Sequence, residues 1–590
     1  MCGIFGGLSL SGGGIDKAVC ERMSQQVARR GPDDRGEFYD RGVMLGHRRL
    51  AIIDLSANGH QPMTDVLQNL TIVFNGTIYN YPELRQQLID AGFSFQSHSD
   101  TEVILNAYAY WGQSCVERLH GMFAFAIWDK RSQQLFLARD RMGIKPLYYL
   151  QTKDFFYFAS NPQALLKTGV CDTAIDPVSL HHLFTLHAVV PAPGTLFKGV
   201  KKCPPAHTMT LQMSGKLELR RYWQLIAKRP LIARSDAEWK DAIHDALLQA
   251  VKKRLAIADV PVGVLLSGGL DSSLLVALLA EAGVKKIKTF SIGFEDQPEE
   301  KGNEFEFSDP VAAMYQTDHH KYLIPNSEVL KRLPEAVQNM AEPMFGQDAV
   351  AFYLLSEQVS RSVKVVQSGQ GADEVFAGYF WYPRMLASEG KPLQRFSSWY
   401  FDRDHDEYLE MMEAAYQVED VTSRLVSDAL SNEFSDTFMD AVLRFDTTTL
   451  VVDDPVKRVD NMTMAWGLEA RVPFLDQHLV ELAAQCPPEL KLLHHGKGIL
   501  KQIARGILPD AVIDRPKGYF PMPALKYVRG DFYQMMADVL NSQQSRERGL
   551  FSRSYIDKLL AEPESHFTRL NGSKLWHCAL LEYWLQTHLA

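Results

Sequence analysis

The chain is 590 residues long with 46% hydrophobic and 23% charged side chains, too much for one hydrophobic core and ordinary for a folded protein, so two or three domains are expected. Its 62 basic and 71 acidic residues leave a net charge of −9, which argues against nonspecific nucleic-acid binding. Seven widely spaced cysteines without a CxxC pair exclude a disulfide framework or a zinc ribbon. No run approaches the roughly 20 apolar residues that span a bilayer, and no charged leader precedes an apolar segment. A cytoplasmic protein without membrane contact is the expectation.

From Cys2 to about residue 210, short apolar runs are separated by Gly, Asp and Asn: residues 2–10, 43–45, 70–74, 122–128, 135–138 and 155–159. Their length and residue types predict strands, interrupted by helical patterns at 82–91 and 101–111. Strands with few helices predict an α+β sandwich. Past Arg221, Tyr222 and Trp223 the pattern changes to a long helix at 236–255 and short apolar strands at 262–266, 288–292 and 363–366. That alternation predicts a parallel sheet covered by helices. The domains are therefore placed at 1–215 and 235–590, with a helical excursion of the second at about 385–445.

The first chemical feature is Cys2. Once Met1 is removed, its thiol and a free α-amino group share one residue, and the amine can serve as the thiol's own base. The blocks Cys2-Gly3-Ile4-Phe5-Gly6, Arg30-Gly31-Pro32-Asp33, His47-Arg48-Arg49-Leu50, Phe74-Asn75-Gly76, Ser99-Asp100-Thr101-Glu102 and 139–148 stand in order. Together they resemble the class II glutamine amidotransferase domain. The resemblance implies an N-terminal-nucleophile fold, a four-layer αββα sandwich that hydrolyses glutamine. By the same resemblance Cys2 attacks the substrate amide, and the Asn75 side chain and Gly76 N–H stabilise the oxyanion. Arg49 suits the substrate carboxylate and Asp100 its ammonium. Leu50, Ala51, Ile52, Ile53 and Thr77 complete the glutamine pocket. Thr77 departs from the family pattern, in which Glu follows Asn-Gly, so a carboxylate is missing there and the weight falls on Asp100.

The second feature is Ser267-Gly268-Gly269-Leu270-Asp271-Ser272-Ser273, after an apolar strand and before an apolar helix. Glycines let the backbone approach phosphate, hydroxyls donate, and the helix start offers N–H groups. No GKS or GKT follows, so it is not a Walker A loop. It resembles the pyrophosphate loop of ATP pyrophosphatases, an α/β fold like the adenine nucleotide alpha hydrolases. Residues 368–379 and 467–476 extend the resemblance to the asparagine synthetase family. That resemblance implies ATP contacts at Leu265, Ile292, Ser368 and Gly369, Mg²⁺ ligation by Asp271 and Asp373, and charge stabilisation by Lys497.

The implied substrates are glutamine, ATP and a carboxylate acceptor, with ammonia passing internally between sites; a homodimer is one assembly left open. The acceptor region departs from the asparagine synthetases. Gln370 replaces a Glu proposed as base, and Glu342-Pro343-Met344-Phe345-Gly346-Gln347-Asp348 contains no cation. Gly346 reads as room for a larger acceptor. Segments 187–193, 370–373 and 515–520 resemble the N-acetylglutaminylglutamine amidotransferases, which amidate an acetylated dipeptide. Aspartate as acceptor, and a ring-forming synthetase of β-lactam type, are the alternatives.

Overall fold

The structure, a computed structural model, describes residues 2–65, 67, 69–296, 298, 301–515, 525 and 528–589. Two six-stranded antiparallel sheets make the N-terminal half. In the first, the spatial order is Lys201–Lys202, Tyr148–Gln151, Phe155–Ala159, Gly3–Ser9, Val43–Arg49 and Asp34–Asp40. In the second it is Leu217–Arg221, His207–Gln212, Gln134–Arg139, Gly121–Asp129, Leu70–Ile78 and Met63–Asp65. Strand alternation explains the stacking. Ile4, Leu8 and Leu45 meet Val73, Ala124 and Trp128 between the sheets. Phe5 and Met44 face outward onto Val19 and Met23 of helix Lys17–Gln26. Ile72 and Phe74 likewise pack outward onto Leu84 of helix Tyr81–Asp90 and Ile104 of helix Asp100–Trp111. Helices therefore cover both outer faces, an αββα sandwich.

The boundary at residue 215 is too early. Leu217–Arg221 pairs in antiparallel register with His207–Gln212, from Leu211 opposite Leu217 to His207 opposite Arg221. Its charged sequence hid it, because an edge strand open to water needs no apolar alternation.

The C-terminal half is built on a five-stranded parallel sheet, ordered Asp318–Ile324, Lys288–Phe294, Val262–Leu265, Val365–Gln367 and Glu469–Arg471. From Val262–Leu265 the chain first adds strands on one side, then returns to add them on the other. Such a switch point opens a crevice at the carboxyl ends of the strands. The loops leaving the two central strands there are the ones that begin at Ser267 and Ser368.

Asp34–Asp40, Met63–Asp65, Tyr148–Gln151, Lys201–Lys202 and His207–Gln212 of the sandwich were not predicted as strands, and neither were two strands of the parallel sheet. Asp318–Ile324 is a half-exposed polar edge, and Glu469–Arg471 is fully buried although two of its three residues are charged. The excursion is helical, with helices at Trp381–Ala387, Pro392–Tyr400, His405–Met411, Val421–Ala429 and Phe438–Phe445. Two π-helical turns follow, Asp446–Leu450 and Val452–Val456, the second containing Pro455. Pro cannot donate to a regular helical ladder, and π turns often accompany functional sites; Asp446, Leu450, Asp454 and Pro455 all line the large cleft. Among the described residues no helix is long and apolar enough to cross a membrane.

Candidate active sites

Cys2 immediately precedes the first strand and is buried. Its backbone N–H donates to Asn75 Oδ1 at 3.0 Å. That bond fixes the amide and turns Nδ2, which is buried and has no hydrogen-bond partner among the described residues, into a spare donor beside the thiol. A spare donor held in place is what an oxyanion requires. Burial pushes the Cys2 thiol up, while the positive amino terminus, the Leu50 N–H and Arg49 pull it down and Glu469 opposes them.

Arg49 donates to the carbonyls of Ser56 at 3.0 Å and Ile53 at 3.4 Å, and to that of Asp54. A guanidinium has five N–H donors, so these bonds orient the group without exhausting it. Leu50, Ala51, Ile52 and Ile53 form the loop between Arg49 and those carbonyls. The loop is pinned by Ala51 N–H on Asp33 Oδ2 at 2.8 Å and Asp54 N–H on Asp259 Oδ2 at 2.8 Å. His47, neutral because burial drives its pKa down to about 3, bridges the sheets through Nε2 to the Phe74 carbonyl at 3.1 Å. Asp100 opens helix Asp100–Trp111 and accepts from Ile78 N–H at 3.0 Å. Burial raises its pKa to about 7, with Glu469 adding to the rise.

Where Thr77 departs from the family pattern, a carboxylate from elsewhere in the chain stands beside it. Thr77 Oγ1 donates to Glu469 Oε1 at 3.3 Å. Arg471, 2.5 Å from Glu469 Oε1, together with the positive amino terminus holds Glu469 down at about 2 despite full burial. Nothing in the sequence of the 467–476 block points to this partner, since a separation of 392 residues leaves no local signal.

The second site lies at the switch point, in a cleft of about 1080 Å³. Leu265, Ser267, Gly269, Asp271, Ser272, Ile292, Ser368, Gly369, Asp373 and Lys497 line it. Gly268 and Ser273 do not. Gly268 takes a left-handed φ of 76° and packs so tightly on Phe307 and Ser308 that a Cβ would lie 2.6 Å from Ser308 N. Ser273 is fully buried in the first turn of helix Leu270–Glu281. Both shape the loop from beneath. Above, Ser267 Oγ and Ser272 Oγ lie 3.1 Å apart, and Ser267 Oγ accepts from Gly269 N–H at 3.3 Å.

Lys497 Nζ is 2.5 Å from Asp271 Oδ2 and 2.7 Å from Asp373 Oδ1. Burial alone would lower its pKa, but the two carboxylates hold it well above the usual lysine value. Its own backbone is left-handed, with φ 55°, a strain kept at functional positions. Two converging carboxylates beside a phosphate-type loop form an all-oxygen donor set that fits Mg²⁺.

The 342–348 segment itself carries no cation, but one reaches the cleft from a distant part of the chain. Arg458 lines it, 3.1 Å from Asp348 and 2.7 Å from Asp454. Nor is Gly346 room for a ligand, since a Cβ there would lie 2.0 Å from Arg458 Nη1. The missing side chain makes way for the chain's own guanidinium. Glu342 is buried and paired with Lys202 at 3.2 Å and Lys457 at 3.5 Å. Gln370, Gln347 and Arg515 also border the cleft; residues 516–520 of the 515–520 motif lie outside the described residues.

Residues 1–223 match the family model described as a glutamine amidotransferase domain, and residues 242–586 match that described as asparagine synthase. The chain is thus a glutamine-hydrolysing amide synthetase, a carbon–nitrogen ligase that takes its amide nitrogen from glutamine. It belongs to the asparagine synthase family. It is 32% identical to glutamine-hydrolysing asparagine synthetase 1 of Bacillus subtilis strain 168, over 99% of this chain and 96% of that protein. It is 27% identical to the amidase chry2 of Gibberella zeae, over 93% of each. Among solved structures, the glutamine phosphoribosylpyrophosphate amidotransferase of B. subtilis complexed with ADP and GMP is 14% identical, with a TM-score of 0.31, covering 55% of this chain and 91% of that one.

Proposed function

We propose that the chain amidates the C-terminal carboxylate of N-acetylglutaminylglutamine, using glutamine as nitrogen donor and ATP as activator, with release of AMP and pyrophosphate. The N-terminal sandwich acts as an N-terminal-nucleophile glutaminase. Cys2 attacks the glutamine side-chain amide, Asn75 Nδ2 and the Gly76 N–H receive the oxyanion, Arg49 takes the α-carboxylate, and Asp100 with Glu469 takes the ammonium. The parallel-sheet half acts as an ATP pyrophosphatase. The Ser267–Ser272 loop, Ser368 and Gly369 receive the phosphates, and Lys497 follows the charge that develops on the departing pyrophosphate. Asp271 and Asp373 would hold Mg²⁺, which neutralises phosphate charge when bound. The acceptor carboxylate attacks the α-phosphate, and ammonia from the first site displaces AMP from the acyl-adenylate. Uncharged ammonia must reach it without crossing bulk water, where it would be protonated.

The acceptor assignment is supported by one observation: of the two acids in the 342–348 segment, Asp348 lines the cleft but is already paired with Arg458, and Glu342 lies outside its lining, paired with two lysines. An ammonium brought to Asp348 would have to compete with Arg458 for it or turn to Glu374, Asp446 or Asp454 in the same wall, whereas an acetylated dipeptide brings amides that need no counter-charge. Aspartate is the second reading, favoured by the Bacillus relative, an asparagine synthetase by name, and by a guanidinium at the acceptor end. The test is acceptor-dependent pyrophosphate release with the dipeptide and aspartate offered separately. Efficient use of aspartate alone would reject the first reading.

A further inference from the structure

The segment 187–193, distinctive in sequence, begins in a conformation the chain maintains at a cost. His187 and Ala188 are consecutive non-glycine residues in the left-handed region, with φ 53° and 67°. Left-handed backbone is unfavourable for a residue with a Cβ, so something about the placement of this pair offsets it. The result is that the His187 ring reaches the wall of the synthetase cleft, beside Phe345, Gly346, Asp348 and Arg458.

Behind the ring, Asp402 Oδ2 lies 2.8 Å from His187 Nδ1. The Asp402 side chain is fully buried, following helix Pro392–Tyr400, and its backbone N–H is taken by the Thr185 carbonyl at 3.0 Å. His577, on helix Lys574–His588, stacks on Phe345 with centroids 4.3 Å apart and meets the His187 ring edge-on at 5.7 Å. With Nδ1 committed to Asp402, Nε2 is the polar atom left on a side chain that is 16% exposed. It makes no hydrogen bond to another described residue. The charged and titratable groups around it are Asp402 and Arg403 on one segment, His577 and Lys574 on the C-terminal helix, Asp454 and Arg458 on the helix bordering the cleft, and Asp348 opposite. Burial pushes His187 down, but Asp402 outweighs it and brings its pKa up to about 9. His577, further from the carboxylate at 3.8 Å, is driven well below the ordinary value by burial.

We propose that His187, braced by Asp402, is an acceptor-binding residue whose Nε2–H donates to an acceptor oxygen outside the reacting carboxylate, an amide carbonyl in an acylated dipeptide. The inference deepens the reading of the synthetase site given above and rests on it for the dipeptide. A charged donor recognises such an oxygen more strongly than a neutral one. An ion pair buried behind it keeps the ring protonated and in one orientation.

His187→Asn tests it, because Asn tolerates the left-handed backbone yet is too short to reach the same oxygen. Pyrophosphate release is measured with N-acetylglutaminylglutamine and with aspartate as separate acceptors, alongside the KM for ATP and glutamine hydrolysis. The expected result is a rise of at least roughly tenfold in acceptor KM, with the KM for ATP and glutaminase kcat within about twofold. In the unaltered enzyme, acceptor KM should climb as pH passes about 9, and that climb should vanish in the variant. Asp402→Asn, which keeps the ring but removes its carboxylate, should move the climb toward neutral pH. An unchanged acceptor KM in a folded His187→Asn protein would overturn the proposal; if that variant fails to fold, an Asp402→Asn climb still near pH 9 does so instead. Turnover of aspartate alone would reject the dipeptide reading, and His187 is then judged by the same criterion on the aspartate KM.

Discussion

The Thr77 hydroxyl donates to Glu469 Oε1 at 3.3 Å, carrying a carboxylate from the last strand of the parallel sheet into the wall behind Cys2. That strand, Glu469–Arg471, pairs with Val365–Gln367, and the Arg471 carbonyl accepts from Ser368 N–H at 2.9 Å. This three-residue strand therefore reaches the first site through Glu469 and the second through Arg471. The arrangement also divides the labour between two acids. Burial leaves Asp100 half protonated near neutrality, whereas Arg471 keeps Glu469 ionised throughout the physiological range.

Glu469→Gln is expected to raise the KM for glutamine by roughly tenfold, a loss of about 1.4 kcal/mol. Asp100 holds the substrate ammonium only when ionised, so KM should fall as pH rises through about 7 in the unaltered enzyme. Removing the negative charge of Glu469 eases ionisation of Asp100, and the midpoint should shift to lower pH. Glutaminase kinetics between about pH 5 and 9, with melting checked because Arg471 is left buried, measure both. An unmoved KM and midpoint would show that Glu469 is only the partner of Arg471.

What was legible in the sequence is which short segments come together. Cys2 meets Asn75, and Asp271, Asp373 and Lys497 converge in one cleft, because each sits in a distinctive block that can be read without its partners. Gly268 and Ser273 belong to such a block yet turn away from the cleft, because a tight turn needs residues beneath it as well as above. Glu469, Arg458, His187 and Asp402 were not legible, since each acts through a partner far away in the chain. Gly346 was misread for the same reason: an absent side chain looks like space until the Arg458 guanidinium occupies it.

Cys2→Ala should abolish glutamine hydrolysis and leave amide synthesis from added ammonium salt near the level of the unaltered enzyme. The thiol lies in the sandwich, and Lys497 with its two carboxylates lies at the carboxyl ends of the parallel strands. Parallel assays of glutamate release and ammonia-dependent pyrophosphate release decide it. Equal loss of both would refute the separation of the two half-reactions.

Asp271→Asn removes one of the two carboxylates that flank Lys497. Pyrophosphate formation should fall by at least roughly tenfold, about 1.4 kcal/mol in the transition state, while glutamine hydrolysis survives. Asp271 also stands in the first turn of helix Leu270–Glu281, where a carboxylate favours the helix dipole. Unchanged pyrophosphate formation with a lowered melting temperature would reduce it to that structural role.

The halves of the chain are joined beside Cys2 by a buried charge cluster, and breaking it should make ammonia leak. Asp460, on helix Lys457–Met464, lies 3.0 Å from Arg30 Nη2 and 2.8 Å from Lys145 Nζ. Arg30 in turn donates to the Cys2 carbonyl at 3.2 Å. Lys145 is presented by a turn that Asp140 organises, accepting N–H groups from Phe123, Met142, Ile144 and Lys145. Burial would raise the pKa of Asp460, but the two cations hold it below the usual carboxylate range. Asp460→Asn leaves two buried cations without their counter-charge, a change that typically costs about 3–5 kcal/mol. The interface should loosen before either half unfolds, because each half retains its own sheet and core. Glutamine hydrolysis should therefore continue while less of its ammonia reaches the acyl-adenylate. The measurement is the ratio of glutamate to pyrophosphate formed under saturating substrates, expected to rise severalfold over the unaltered enzyme. A ratio that stays constant while both rates fall together would mean that Asp460 supports folding without sealing the passage between the sites.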